Sequence, residues 1–194
     1  MSFTNIQVKD TEAVWFAEEA SLASFMPPVE GEWIDRLLLG RAENALRNAI
    51  VKCMDEGLGR YKAKTYFSET LHPIVGRGEP FYEMLVNTAK TRARVFSRIH
   101  GCQKAGIEAY EISIVSDDRT PKVAELMDGK VFEVSDAATV ANDLLGLESA
   151  LEVSSVTRWL SPEEIQKRSD EQLVQAGFII PPFHDGCRSR LQAT

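Results

Sequence analysis

The hydrophobic pattern of this chain changes period at Gly106. Over residues 80–105, apolar side chains recur at helical spacing, and a proline stands at the start, where a helix accepts one. Residues 107–115 instead alternate apolar and polar side chains, which predicts a strand with one buried face. Asp128-Gly129 predicts a tight turn before a second strand over residues 130–134. The chain therefore combines a long helix with a small sheet.

Further helices are predicted over residues 11–25, 33–56 and 122–127, and a helix beginning after a capping box at Ser161 ends near Gly177. Residues 136–153 also favour helix. In the 33–56 helix, one apolar arc contains Leu38, Ala42, Ala45, Leu46, Ala49 and Cys53. Residues 178–191 are expected to be extended and to return beside the two strands. We therefore expect an α+β fold, mostly helical, with a small, largely antiparallel sheet in the C-terminal unit.

Residues 57–80 contain glycines and prolines at both ends of a mixed stretch. This composition predicts a hinge or domain boundary, with His72 in a loop and without a site role. We accordingly divide the chain into an N-terminal helical arm, residues 1–78, and a C-terminal unit, residues 79–194.

Composition limits the class of protein. The chain has 194 residues, of which 44% are hydrophobic and 26% charged, as is usual for a globular protein with one sizeable core. No apolar run approaches the ~18–20 residues of a membrane span, and no signal-peptide pattern is present, so we expect synthesis and retention in the bacterial cytoplasm or in an assembly formed there. Three irregularly spaced cysteines argue against a disulfide framework. The net charge of −7 means that any contact with DNA must be local.

The charged residues of the 80–105 helix fall into two groups. Arg92 lies in the middle of the apolar face, where it needs a carboxylate or carbonyls from another element, unless it reaches the edge of that face. The others form a basic stripe on the opposite side: Lys90, Arg94, Arg98 and Lys104. A solvated face is the simpler interpretation of this stripe. The functional one is a contact with an acidic partner or with DNA phosphates.

Two separated segments carry the most unusual chemistry. Residues 117–134 read DDRTPKVAELMDGKVFEV, and residues 181–191 read PPFHDGCRSRL. In this order they resemble the C-terminal pattern of the phage Mu F-like minor head proteins, a resemblance that covers about residues 79–194. The matching residues are Asp117, Asp118, Arg119, Thr120, Asp128, Gly129, Lys130, Val131, Phe132, Pro181, Pro182, His184, Cys187 and Arg188.

The resemblance implies a structural protein of the virion, made in the host bacterial cytoplasm and located inside the capsid. Such proteins associate with the portal vertex and other head proteins, and take part in head assembly, DNA packaging or DNA delivery. It implies no catalytic residue, cofactor or membrane partner. The structural residues that it assigns are Asp118, Arg119, Thr120, Gly129, Lys130, His184, Cys187 and Arg188. The N-terminal arm, with Trp15, Phe16 and Trp33, is then expected to face the portal or to self-associate.

One departure from the family concerns metal binding. Its members commonly carry cysteines where this chain has Pro121 and Ala124, and a closed zinc site needs four ligands. We therefore predict no structural zinc. Hydrogen bonds and a salt bridge between the turn at residues 118–120 and the 181–188 segment are expected instead, with Arg119 as donor and Asp118 or Asp185 as acceptor.

Two other classes stay open. The first is a small metal-dependent enzyme, such as a nuclease, that uses His184 and Cys187 with His100 and Cys102. The second is a cytoplasmic helical adaptor in which the HxxC pattern is incidental. The sequence contains no GxxxxGK, GxSxG or HExxH motif that would favour an enzyme.

Overall fold

The computed structural model describes residues 22–28 and 40–194. Its helices are a 3-10 turn at Leu22–Phe25, α1 (Gly40–Asp55), α2 (Arg60–Val75), α3 (Glu79–Lys104), α4 (Lys122–Met127), α5 (Val134–Leu145), a 3-10 turn at Ala150–Glu152, α6 (Val153–Val156), α7 (Pro162–Gln166) and α8 (Asp170–Gln175). Its strands are β1 (Ala109–Ser113), β2 (Val131–Glu133) and β3 (Arg190–Ala193). The predicted α+β, mostly helical fold with a small antiparallel sheet is confirmed.

Helix α3 is the centre of the fold and confirms the predicted 80–105 helix. Gly78 precedes it in an extended conformation, and Pro80 lies in its first turn. At 100° per residue its buried side chains span roughly 220° of the helix circumference, because α2, α5 and the first 3-10 turn surround it. These side chains are Tyr82, Leu85, Val86, Thr88, Ala89, Arg92, Ala93, Val95, Phe96, Ser97, Ile99 and Cys102.

The prediction of a loop around His72 was wrong, because His72 lies within helix α2. Four residues at i+4 spacing, Ala63, Phe67, Leu71 and Val75, are buried along one side of it. The glycines end helices at this point: Gly76 adopts a left-handed conformation, φ +68°, and donates its N–H to the His72 carbonyl. One core cluster contains residues from both sides of position 78, including Phe67 and Tyr82.

Helix α1 confirms the predicted 33–56 helix from Gly40 onward. Ala42, Leu46, Ala49 and Cys53 are buried, as the apolar arc predicted, and Leu46 belongs to the common core. The earlier part of that helix lies outside the described residues, and so does most of the predicted 11–25 helix. Residues 22–25 form a 3-10 turn.

The sheet has the order β2-β1-β3, and both pairs are antiparallel. Tyr110 pairs with Phe132 on one side, and Ile112 pairs with Leu191 on the other. All four side chains are buried, which confirms the alternation read from residues 107–115. The prediction of an extended return over residues 178–191 was wrong in its position, because only residues 190–193 pair with β1.

The predicted helix after Ser161 is divided into two short helices. Ser161 forms the expected capping box with Glu164 at the start of α7. A second capping box, between Ser169 and Gln172, begins α8, so the chain leaves the helix between these points. Gly177, with φ +62°, follows α8 and ends it as predicted.

Candidate functional site

The two segments that carry the family resemblance, residues 117–134 and 181–191, are called the signature segments here. Both meet strand β1. The first supplies β2 on one side of β1, and the second ends in β3 on the other side. The turn that follows β1 then lies beside residue Arg188. The fold therefore brings together two stretches that are remote in sequence.

An ion pair between Asp117 and Arg188 joins the signature segments directly. The Arg188 guanidinium donates two hydrogen bonds, Nη1 to Oδ2 and Nη2 to Oδ1, each 2.7 Å long. This bonding, with further donation from the Arg119 N–H and the Thr120 hydroxyl, holds the pKa of Asp117 far below its usual range. The Asp117 side chain is 27% exposed, so solvent screens the pair in part. We call this contact the Asp117–Arg188 pair.

The turn at residues 117–120 is built around the same carboxylate. Asp117 Oδ1 accepts the N–H two residues ahead, which is the arrangement of an Asx turn. The Thr120 hydroxyl accepts the Asp117 N–H at 2.8 Å, and its single proton is shared between the Val115 carbonyl at 2.9 Å and Asp117 Oδ1 at 3.2 Å. Thr120 is thus a structural residue of the turn.

The predicted salt bridge between the signature segments exists, but its residues differ from those expected. Arg119 is 78% exposed and approaches Asp117 only to 3.5 Å, while Arg188 supplies the donor fork. Asp118 makes no hydrogen bond within the described part of the chain and acts on Arg188 only through its charge. The acceptor is Asp117, which sequence reasoning missed. The signal that identifies Asp117 is that of an Asx turn: it follows strand β1, and its side chain accepts the N–H of Arg119, two residues later.

Gly129 and Lys130 stabilise the turn that leads into β2. Gly129 has φ +73°, which favours glycine, and its N–H donates to the Ile112 carbonyl at 2.9 Å. The Lys130 ammonium pairs with Asp170 on α8. Gly129 therefore fixes the turn before β2 against strand β1, and Lys130 links β2 to helix α8.

The segment before His184 is anchored in the core. The Tyr110 hydroxyl on β1 donates to the Ile179 carbonyl at 2.8 Å, and the Trp159 indole donates to the Pro182 carbonyl at 3.1 Å. The Pro181–Pro182 peptide bond is cis. Buried apolar side chains fill the space beneath, among them Phe178, Ile179, Ile180 and Phe183.

His184 and Cys187 face each other across a tight turn. The Cys187 N–H donates to the His184 carbonyl at 3.3 Å, and the Cys187 thiol lies 3.3 Å from the Ser189 hydroxyl. Burial alone would raise the pKa of Cys187, but hydrogen bonding from His184 and Ser189 lowers it below its usual value. Burial would likewise lower the pKa of His184, yet the neighbouring Cys187 and the Asp185 carbonyl raise it. The Nε2 atom of His184 is buried and has no hydrogen-bond partner.

The tip of this turn rests on the N-terminal helices. Gly186 has φ +67°, and a Cβ at this position would lie 3.2 Å from Nη2 of Arg60 on α2. Arg60 is itself paired with Glu83 on α3 at 2.6 Å. Partial burial and the nearby Glu83 raise the pKa of Asp185. The second signature segment therefore contacts both the sheet and the helices on its N-terminal side.

Arg92 is buried, as predicted, with 2% of its surface exposed. Its Nη1 donates to the Ser24 carbonyl at 2.8 Å, and its Nε has no hydrogen-bond partner. The carbonyl alternative of the prediction is the one observed. Burial lowers the pKa of Arg92 to about 9, and no carboxylate offsets this effect within residues 22–28 and 40–194.

The basic stripe does not form one uniform surface. Arg94 and Lys104 are exposed and Arg98 is partly buried, whereas the Lys90 ammonium turns inward and donates to the Leu58 carbonyl. The candidate contact with DNA phosphates or an acidic partner thus loses Lys90 as a surface group. For the other three residues it stays a prediction.

The proposed metal-ligand set of the enzyme alternative is not assembled. In the part of the chain that the structure describes, no group of three or more His, Cys, Asp or Glu side chains is placed to hold a metal ion. Cys102 is buried in α3, and His100 is partly buried on the same helix. The absence of structural zinc stays a prediction.

Comparison of the chain with family models, curated proteins and solved structures finds no match. Over residues 22–28 and 40–194, no helix has both the length and the apolar character required to cross a membrane.

Proposed function

We propose that this chain is a minor head protein of a bacteriophage, located inside the capsid at the portal vertex. The observation that carries the proposal is the agreement between the signature pattern and the Asp117–Arg188 pair. Asp117 and Arg188 belong to different halves of the pattern, and their side chains form a two-fold hydrogen-bonded contact. A pattern of this kind is easiest to explain when its residues stabilise one small structural unit.

The roles of the other signature residues support a structural protein. Thr120 closes a turn, Gly129 allows another, and Lys130 links β2 to α8. Each of these contacts holds backbone segments in place, and none of them presents a reactive group to a pocket. We propose that the resulting unit serves assembly, packaging or delivery of DNA through contacts with the portal and other head proteins.

Binding to the portal is proposed to depend on the N-terminal arm. Deleting residues 1–56 would test this poorly, since α1 contributes Leu46, Ala49, Ile50 and Cys53 to the common core. Deleting residues 1–21 is the sharper change, because it leaves residues 22–28 and 40–194 intact. The longer deletion is expected to disturb the fold as well as binding, whereas the shorter one tests binding while the core residues of α1 are kept.

The experiment is co-expression of the chain with the portal protein encoded in the same genome. We expect the full-length chain to co-purify with portal rings. The chain lacking residues 1–21 should keep its thermal transition but co-purify at least about tenfold less, which corresponds to a loss of ~1.4 kcal/mol in binding free energy. Glu148→Gln, at an exposed position in the C-terminal unit, serves as a matched surface control that should not change the yield. Failure of the full-length chain to bind portal rings or assembled heads would contradict the proposal. A genomic neighbourhood without portal and terminase genes would contradict it as well.

A further inference from the structure

A groove of about 250 Å³ lies between helices α3 and α5. Phe96 and Ile99 line it from α3, and Ala138 and Ala141 line it from α5. None of the signature residues lines this groove, so the contacts that hold the signature segments together do not explain it. An apolar groove between two helices is suited to bind the apolar side of a third helix.

The chain enters the fold beside this groove. The 3-10 turn at Leu22–Phe25 packs against both helices that form the groove, α3 and α5. The ring centroids of Phe25 and Phe96 are 6.1 Å apart, and Phe96 lines the groove. The residues that precede Leu22 are therefore tethered next to the groove. Such a tether makes docking intramolecular and raises the effective concentration of the segment.

The segment before Leu22 has a sequence that fits an apolar groove. Four apolar residues at i, i+3, i+4 and i+7 spacing share one side of the helix predicted over residues 11–25: Ala13, Phe16, Ala17 and Ala20. In a helix, residues 11–21 would span roughly 16 Å, whereas the lining residues of α3, from Phe96 to Gln103, span roughly 10 Å. The segment is thus long enough to cover the groove.

The charges of the segment and of the groove are complementary. Residues 10–21 contain no basic residue and four carboxylates: Asp10, Glu12, Glu18 and Glu19. On α3, His100 lines the groove and Lys104 follows it by about one helical turn. Opposite charges on a segment and on its binding surface favour their association and are screened by salt.

We propose that the groove between α3 and α5 binds the chain's own N-terminal segment, residues 11–21, with the side that contains Phe16 turned into the groove. This inference concerns the chain by itself and does not depend on the proposed virion role. The helical projection that groups Phe16 with the alanines puts Trp15 on the opposite side. Docking therefore leaves Trp15 on the outer surface of the segment, where a partner can reach it.

The test is digestion of the folded, full-length protein with a protease that cleaves after glutamate, followed by mass spectrometry of the products cut at Glu18 and Glu19. Cleavage of a docked segment follows the fraction of molecules in which it is released. We expect Phe16→Asp to be cleaved at least about tenfold faster than the chain without substitutions, because a carboxylate loses its hydration in an apolar groove. Trp15→Asp is the matched control and should be cleaved at nearly the original rate.

A variant in the groove itself separates docking from the properties of the segment. Asn142 is exposed and lines the groove, so Asn142→Trp should obstruct it and speed cleavage at least about tenfold. Gln175→Trp, at an exposed position on α8, is its matched control and should leave the rate unchanged. Melting curves show whether both variants are folded, and the Phe16 and Trp15 variants test the proposal if the Asn142 variant is not.

Light scattering during size-exclusion chromatography identifies which copy supplies the segment. We expect a monomer whose cleavage rate does not depend on protein concentration. Equal cleavage of Phe16→Asp and Trp15→Asp, or an unchanged rate in folded Asn142→Trp, would overturn the proposal, because the segment would then not lie in this groove. Protection that appears only as a dimer forms would overturn it as well, since the groove would then bind the segment of a second copy.

Discussion

Replacing Arg92 with methionine is predicted to stabilise the protein, although it removes a hydrogen bond. Burial lowers the pKa of Arg92 to about 9, and a fall of this size corresponds to roughly 5 kcal/mol as an upper limit on the cost of keeping the guanidinium charged. Against this stands one bond to the Ser24 carbonyl, and a hydrogen bond of a charged donor contributes about 1.5–3 kcal/mol. Methionine keeps most of the aliphatic volume without the charge.

We expect Arg92→Met to raise the free energy of unfolding by ~1 kcal/mol or more, which shifts the melting temperature upward by about 2–4 °C for a chain of this size. Arg92→Ala removes the same charge but leaves a cavity beside Phe96, and it should lower the free energy of unfolding by ~3 kcal/mol. Urea denaturation followed by circular dichroism measures both changes.

The pair of variants separates charge from volume. Equal destabilisation by methionine and alanine would refute the reasoning, because it would mean that the guanidinium is stabilised by more than the Ser24 carbonyl. Arg92→Lys is a further control that keeps a charge but cannot span the same distance with a planar fork. We expect it to be less stable than the methionine variant.

Three further outcomes follow from the contacts above. Gly177→Ala should lower the free energy of unfolding by ~3 kcal/mol or more, because its Cβ would lie 2.0 Å from the Val156 carbonyl oxygen. Gly129 also has a positive φ but faces open space, so Gly129→Ala should lower the free energy of unfolding by only ~1 kcal/mol. Asp117 has a depressed pKa in the folded state, so its contribution to stability is present above the unfolded pKa of about 4 and is lost as the pH falls through the lower folded value. In the Asp117→Asn variant, this part of the acid-dependent loss of stability should be missing. Protein purified without a metal-affinity tag should contain far less than one zinc per chain, and EDTA should leave its melting temperature unchanged.

Each of these has an outcome that would contradict it. Equal losses for the two glycine variants would mean that the backbone at Gly177 can shift freely. An unchanged acid transition in Asp117→Asn, or an equal loss in the exposed control Asp118→Asn, would show that the Asp117–Arg188 pair does not contribute to stability. Stoichiometric zinc whose removal unfolds the protein would restore a metal-binding interpretation of His184 and Cys187.

The long elements could be predicted from sequence because their patterns are local. The apolar face of α3, including the position of Arg92, follows from helical periodicity, and the buried face of β1 follows from alternation. The Ser161 capping box was also readable, since its two partners lie three residues apart. What these elements share is that the residues that specify them are close in the chain.

Errors arose where long-range contacts decide the structure. Residues 60–75 look like a loop because glycines and prolines flank them, yet burial of Phe67 and Leu71 against neighbouring helices makes this stretch helical. The strand partner of β1 was expected over residues 178–191 but begins only at Arg190, because the preceding turns are fixed by contacts with other elements, such as Trp159. Helix formation and strand register of this kind depend on partners that a local pattern does not contain.

The candidate site shows the same division. The sequence indicated that the two signature segments meet and that charges join them, and the structure confirms that contact. It did not identify Asp117 as the acceptor or Arg188 as the donor fork, since the choice depends on which side chains project toward each other across the sheet. Ser189 was missed as well, although it lies only two residues from Cys187, whose thiol donates a hydrogen bond to its hydroxyl.

The proposed virion role can be tested by measuring how many copies of the chain are present in purified, DNA-filled phage particles produced by the host whose genome encodes it. Particles should first be treated with protease to remove external proteins, and the chain should then be quantified by mass spectrometry relative to the portal protein. The proposal predicts a few protected copies per particle, in a constant ratio to the portal. Absence of the chain from particles, while it is abundant in the infected cell, would contradict it.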